Sequence, residues 1–250
     1  MTRGILIAGN ESSLFAAAAA EAAKRVESFA SIHIPNRFPL PEGSGVIPPG
    51  TETNAGAIPL SWNPASPISA RTVVLAAENR LKQINDAILI CSPPAVFKTA
   101  EALTPEEIEI LVNDHLKGWF FLIRELVLYF RRCGTGSLSL VAPESISGKD
   151  AAGTNTFGIT IRGKSPWGTN TGNKNTPVDL VGPSASASFR AFAQGVLASQ
   201  ANEPFQVMGF TTAEVGTDGD FAAWFFKIID EGSGKNSGRW HKYPKLKFLR

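Results

Sequence analysis

The sequence predicts an α/β fold, a three-layer α/β/α sandwich with a mostly parallel sheet of seven strands. The chain of 250 residues is 43% hydrophobic and 18% charged, which suits one large buried core. Short apolar runs alternate with helical patterns of ten or more residues, as in parallel strands joined by crossover helices. The run AILIC at 87–91 is apolar throughout, as a strand covered on both faces requires.

The first half of the chain begins with a strand, a turn and a helix. Residues 14–28 are dense in alanine and other strong helix formers, so they predict the first helix. The turn and capping residues at 63–66 (NPAS) precede a second helix that runs to about residue 83. A loop rich in Pro and Gly is expected at 35–56. The predicted strands are 4–8, 30–34, 57–61 and 87–91.

The second half repeats the alternation around one long insertion. Residues 104–107 (TPEE) have the form of a capping box and open a helix to about residue 132. Residues 148–177 are full of Gly, Thr and Asn and are expected to form an inserted loop. Further strands are predicted at 137–142, 206–210 and 239–243, and further helices at 187–199 and 221–229.

Composition excludes several classes of protein. The net charge of +2 gives no general attraction to nucleic acid or anionic lipid. Two cysteines cannot form a disulfide framework and, without a secretory signal or a membrane span, favour the cytoplasm. The three histidines and two cysteines lack metal-ligand spacing, so no metal site is expected.

Five stretches follow one another along the chain: IPLSWNPASPI (58–68), NDAILICSPP (85–94), DHLKGWFFL (114–122), GSLSLVAPE (136–144) and FAQGVLAS (192–199). In this order they resemble motifs of the short-chain dehydrogenase/reductase family. The resemblance implies one Rossmann-like domain over 1–250, with an insertion at 148–177 and a basic tail at 239–250. It also implies NAD(P) and the oxidation or reduction of a hydroxyl or carbonyl group.

The segment that would bind the cofactor departs from the family pattern T-G-x-x-x-G-x-G. It reads AGNESSLF at 8–15, so Gly9 remains, while Ser13 and Phe15 replace the other two glycines. Asn10 also lies in this turn, and Glu11 adds a negative charge where a pyrophosphate would bind. We expect an ordinary strand-to-helix turn with Phe15 in the core.

Three other positions match residues that contact the cofactor in the family. Arg37 lies where its side chain could pair with a 2′-phosphate, or it is an ordinary exposed arginine of the loop. Ser61 and Ser92 lie where adenine and ribose would bind, or are ordinary turn residues.

The family's catalytic Asn, Ser, Tyr and Lys are absent as a set. Their positions are occupied by His115, Pro143, Gly182 and Ser186. Asn113 would need a shift of two residues to replace the asparagine. The family's reaction needs a phenol whose pKa is lowered by a neighbouring ammonium group.

Neither tyrosine of this chain can take that place. The only two are Tyr129, within the long predicted helix, and Tyr243, in the last predicted strand.

Two hypotheses follow for function. The first is a catalytically silent oligomeric or binding protein without a cofactor. The second is an NAD(P)-dependent oxidoreductase with replacement groups such as His115, Ser145 or Lys149.

The expected partner is a second copy of the chain. The apolar surface of WFFLIRELVLYF predicts a homodimer or homotetramer through helices at about 105–132 and 187–199. The basic tail at 239–250 is interpreted as solvated or interfacial rather than as a nucleic-acid site.

Overall fold

A computed structural model describes residues 3–34, 37, 56–94, 96–143, 178–199, 203–212, 216–232 and 234–244. Seven strands form one sheet in the order β3-β2-β1-β4-β6-β8-β9, and every neighbouring pair is parallel. The predicted α/β fold with a seven-stranded sheet is therefore confirmed. The strands are β1 (Ile5–Asn10), β2 (Phe29–Ile34), β3 (Ala57–Leu60), β4 (Asp86–Ile90), β6 (Ser137–Val141), β8 (Gln206–Thr211) and β9 (Arg239–Lys242).

Helices cover both faces of this sheet. They are α1 (Ser13–Ala23), α2 (Pro67–Leu81), α3 (Pro105–Val112), α4 (Gly118–Cys133), α5 (Val181–Ser199) and α6 (Asp218–Glu231). Helices α1 and α6 pack on one face, and α2, α4 and α5 pack on the other. No helix in these described parts has the length and apolar character needed to cross a membrane.

The alternation of side chains along each strand builds the two apolar layers. In β1, Ile5 and Ile7 join the layer under α1 and α6, whereas Leu6 and Ala8 join the opposite layer. All four side chains are fully buried, which explains why the strands appear as continuous apolar runs.

The prediction of a single helix at 105–132 is wrong in one respect. A π-helical turn at Asn113–Lys117 separates α3 from α4, and the Gly118 N–H donates to the carbonyl of Asn113, five residues earlier. The extra residue in this turn shifts the register of the following side chains. Apolar periodicity does not reveal it, because the pattern is apolar on both sides of the turn.

The helix predicted at 187–199 begins six residues earlier than expected, at Val181. Asp179 provides the reason, since its Oδ1 accepts the N–H of Gly182 at 3.0 Å in the first turn. Asp179 belongs to a small antiparallel pair that the sequence did not predict, formed by β5 (Phe97–Lys98) and β7 (Val178–Asp179).

Tyr129 has a structural role at the amino end of the sheet. Its hydroxyl accepts the buried N–H of Ile84, just before β4, at 2.8 Å. Burial raises the pKa of Tyr129 to about 12, so this phenol is protonated at neutral pH.

Replacing the Tyr129 hydroxyl should therefore destabilise the fold. Tyr129→Phe keeps the ring but leaves the buried N–H of Ile84 without an acceptor, and should lower the free energy of unfolding by about 1 to 3 kcal/mol. Denaturant unfolding of both proteins measures the difference. Equal stability would contradict this role for the hydroxyl.

Candidate active site at the carboxyl edge of the sheet

The candidate site residues gather where the parallel strands end. Gly9 and Asn10 end β1, while Ser61, Ser92 and Pro143 lie just beyond β3, β4 and β6. Because all seven strands are parallel, these positions share one edge of the sheet, where ligands bind in folds of this type.

The turn after β1 is filled by a side chain of the protein itself. Phe15 is buried, and a Cβ added at Gly9 would lie 2.9 Å from Phe15 Cδ2 and 2.9 Å from the Ile90 carbonyl oxygen. The Phe15 ring also lies 4.6 Å from the ring of His33, measured between centroids. The ring thus occupies the space beside Gly9 that a glycine at position 15 would leave open.

A capping hydrogen bond and two carboxylates also lie at the first turn of α1. Ser12 caps the helix, since its Oγ accepts the N–H of Phe15 at 3.1 Å. The Ser13 hydroxyl donates to the carboxylate of Asp218 in α6. Glu11 adds another carboxylate, 3.9 Å from His33 Nδ1.

These residues do not fit a pyrophosphate. An anion binds at a helix N-terminus through free N–H groups in a positive field. Here one N–H is taken by Ser12 and two carboxylates lower the local potential.

Arg37 is held by a carboxylate of the same chain. Its Nε lies 3.3 Å from Oδ2 of Asp114, in the π turn, and Asp114 is fully buried. Burial raises the pKa of Asp114, and the Arg37 charge lowers it in part. The guanidinium group that could bind a 2′-phosphate therefore forms an ion pair within the chain.

A tryptophan occupies the space between β3 and α4. Trp62 follows the exposed Ser61 and is buried in the layer under α2 and α4. Gly118 permits this packing, because a Cβ there would lie 3.2 Å from Trp62 Cη2 and 2.7 Å from Pro64 Cβ. Ser92, in contrast, is half-buried just beyond β4.

His115 lies in the π turn and is buried. Burial lowers its pKa to about 4, so the ring is neutral at physiological pH and a weak base. Asn113 does not replace it, since Asn113 is half-exposed and its Oδ1 accepts from Lys117 Nζ at 3.1 Å.

Helix α5, which carries Gly182 and Ser186, packs against the π turn that carries His115. Gly182 is buried, and a Cβ at this position would clash with Asp179 Oδ2. An alanine at this position would therefore require the Asp179 side chain to move. Pro143, the fourth position, lies just beyond β6.

Arg190, which no sequence pattern singled out, also lies at this edge. Its Nη2 donates to the Ala142 carbonyl and to Thr211 Oγ1, each at 2.6 Å, across the ends of β6 and β8. Its place within the predicted helix at 187–199 gave no signal of these contacts, because both partners are distant in sequence.

Arg190 does not activate the nearby cysteine. Burial raises the pKa of Cys91 to about 12, and the Arg190 charge offsets only part of that shift. Cys91 is therefore a neutral thiol rather than a nucleophile.

Two candidate replacement groups, Ser145 and Lys149, lie outside the described residues, as does the predicted insertion at 148–177. Within the described ranges, no three His, Cys, Asp or Glu side chains are grouped to hold a metal ion.

Comparison with solved structures shows the fold of the short-chain dehydrogenase/reductases. A Mycobacterium smegmatis short-chain dehydrogenase is similar with a TM-score of 0.66 and 11% identity, over 98% of this chain and 94% of that one. A metagenomic short-chain oxidoreductase in complex with NADP is similar with a TM-score of 0.65 and 10% identity, over 98% of both chains. A putative short-chain dehydrogenase/reductase from Burkholderia xenovorans is similar with a TM-score of 0.65 and 11% identity, over 96% of this chain and 94% of that one. No model of a known protein family matches the sequence, and neither does any curated protein.

Two glycines of α5 allow a matched test of the packing at Gly182. Gly182→Ala should lower the free energy of unfolding by about 1 to 3 kcal/mol, because the new Cβ displaces the Asp179 cap. Gly195→Ala is the control, since nothing lies within 4 Å of a Cβ there. This control should gain about 0.5 to 1 kcal/mol from helix propensity. Equal effects on denaturant unfolding would contradict the close packing of Gly182.

The buried His115 predicts a pH dependence of stability. The unfolded chain binds a proton near the ordinary pKa of 6.5 and the folded chain only near 4, so acid favours unfolding. Lowering the pH from about 7.5 to 4.5 should cost the native protein about 2 to 3 kcal/mol through this residue.

The His115→Gln variant isolates that contribution from those of the carboxylates. The stability difference between wild type and His115→Gln should change with pH by the same amount, measured by urea unfolding at both pH values. A pH-independent difference would rule out a buried, neutral His115.

Proposed function

We propose that this chain uses the short-chain dehydrogenase/reductase fold as a binding scaffold and does not carry out dinucleotide-dependent catalysis. It is not expected to hold NAD(P) and is expected to act as an oligomer. The packing of Phe15 against Gly9 is the observation that carries this proposal.

The loss of phosphate binding follows from that contact. In a dinucleotide site, the glycine-rich turn lets backbone N–H groups approach the pyrophosphate. The ring of Phe15 fills this turn, and the carboxylates of Asp218 and Glu11 repel an anion there.

The proton-transfer groups support the same conclusion. Gly182 and Ser186 offer neither a phenol nor an ammonium group. Tyr129 lies at the opposite, amino end of the sheet, and its pKa is raised to about 12. His115 has its pKa lowered to about 4 and would exchange a proton poorly at neutral pH.

A cytoplasmic location is part of the proposal. Cys91 and Cys133 are free thiols, as expected for a protein kept in a reducing compartment.

Isothermal titration calorimetry tests the binding of the cofactor directly. Purified protein should show no saturable heat with NAD⁺, NADH, NADP⁺ or NADPH up to about 1 mM ligand, which corresponds to binding weaker than about −4 kcal/mol. A well-fitted micromolar dissociation constant would overturn the proposal and favour an NAD(P)-dependent oxidoreductase.

A variant separates binding from chemistry. Phe15→Gly reopens the turn beside Gly9 but should produce no dehydrogenase activity, because positions 182 and 186 still lack a proton-transfer pair. Turnover of NAD(P)H with a panel of carbonyl substrates is the measurement. Activity in this variant would show that another group of the chain acts as the proton donor.

A further inference from the structure

Arg37 and Asp114 form a contact between two separate parts of the carboxyl edge. Arg37 lies three residues beyond the end of β2, and its side chain is 45% exposed. Asp114 belongs to the π turn between α3 and α4 and is fully buried. Arg37 Nε and Asp114 Oδ2 are 3.3 Å apart. A half-exposed cation thus reaches from the surface to a carboxylate inside the protein.

This contact is electrostatic alone. Neither oxygen of Asp114 accepts a hydrogen bond from any described residue. The ion pair of Arg131 with Glu203 differs, because Nε and Nη2 of the arginine donate to the carboxylate at 2.6 to 3.0 Å. Protonation of a carboxylate removes the Coulombic attraction but leaves its oxygens able to accept hydrogen bonds. The link between Arg37 and the π turn has only the Coulombic part, so it depends on the charge of Asp114.

Among the described residues, Arg37 is the one charged side chain that acts on Asp114. The π turn packs against α3, α4 and α5. The charged groups of these helices nearest to the turn in sequence are Glu106, Glu107, Glu109, Arg124 and Arg190. Arg124 and Arg190 are held by other groups, and the carboxylates of α3 have the same sign of charge as that of Asp114. The neighbouring helices therefore offer no replacement for Arg37.

The π turn itself contains two further titratable groups. Lys117 Nζ donates to Asn113 Oδ1 at 3.1 Å. Burial lowers the pKa of His115 to about 4, so its ring is neutral at physiological pH. Burial raises the pKa of Asp114 from the ordinary 3.8, and the Arg37 charge lowers it in part. Asp114 thus binds a proton at a higher pH than an ordinary aspartate does.

We propose that the Arg37–Asp114 ion pair is a proton-sensitive switch at the carboxyl edge of the sheet. While Asp114 is charged, the pair holds Arg37 against the π turn. When a proton from solvent binds to an Oδ atom of Asp114, the attraction is lost and the guanidinium group is released to water. This inference goes beyond the proposed function, since it involves neither a cofactor nor a second copy of the chain.

Neutralising Asp114 should release Arg37 without acid. Asp114→Asn keeps the size of the side chain and removes its charge. Trypsin reports the release, because its binding pocket must take up the guanidinium group of Arg37 before the next peptide bond is cut. Cleavage follows the population of the released state, so its rate after Arg37 at about pH 7.5 should rise about tenfold or more, measured by mass spectrometry.

Glu11→Gln is the matched control. Glu11 is an exposed carboxylate just after β1, 3.9 Å from His33 Nδ1, so this variant removes the same charge from the same edge but not from Arg37. Its rate of cleavage after Arg37 should equal that of the wild type. Cleavage after Lys227, which lies within α6, requires that helix to open and therefore corrects each rate for a change in global stability.

The pH dependence is measured by NMR on the Nε–H group of Arg37. In the wild type, this signal should change as the pH falls, with a midpoint above 3.8, and in Asp114→Asn it should have no such midpoint. His115→Gln should retain the midpoint, which separates it from the titration of His115. In Arg37→Gln, the carbon signal of the Asp114 carboxyl group should titrate at a higher pH than in the wild type, because no positive charge lowers its pKa.

The proposal fails if Asp114→Asn is cut after Arg37 at the wild-type rate. It also fails if Glu11→Gln raises that rate as much, because the effect then belongs to the charge of the whole edge. A wild-type Arg37 signal without a transition above pH 3.8 contradicts it as well. The calorimetric result with NAD(P) concerns the turn beside Phe15, so either proposal can fail while the other stands.

Discussion

The parallel direction of all seven strands is the constraint on which the rest of this structure depends. A parallel pair cannot be closed by a tight turn, so the chain must cross a face of the sheet between one strand and the next. These crossings provide the helices that bury both faces. Because of these crossings, the carboxyl ends of all seven strands lie at the same edge of the sheet. Gly9, Ser92 and Pro143 therefore share that edge although they are far apart in sequence.

Much of this fold could be predicted because its signals are local. The buried run of β4 and the alanine-rich α1 are each determined by their own residues, and the order of strands and helices then allows few topologies. The same is true of part of the site. The resemblance expects a glycine at position 15, so the phenylalanine there alone predicts a filled turn, and the structure shows that ring against Gly9.

The rest of the site depends on contacts between distant residues, which no local pattern contains. Arg37 meets Asp114 only because β2 and the π turn reach the same edge of the sheet. Asp179 caps α5 from the end of a segment rich in Gly, Thr and Asn, where one aspartate has no distinctive signal. The π turn itself is an added residue within an otherwise regular apolar pattern, and its effect on register is visible only in three dimensions.

Two buried polar side chains show that the carboxyl edge is not simply an extension of the core. Neither amide atom of Asn10 has a hydrogen-bond partner among the described residues, and the Asp114 carboxylate has only its ion pair with Arg37. Each such group lowers stability by about 1 to 3 kcal/mol when nothing satisfies it. An edge optimised for stability alone would have apolar residues at both positions, as the layers beneath it do. The two retained polar groups are therefore features of the carboxyl edge that stability alone does not explain, and they lie on the same edge as the filled turn beside Gly9.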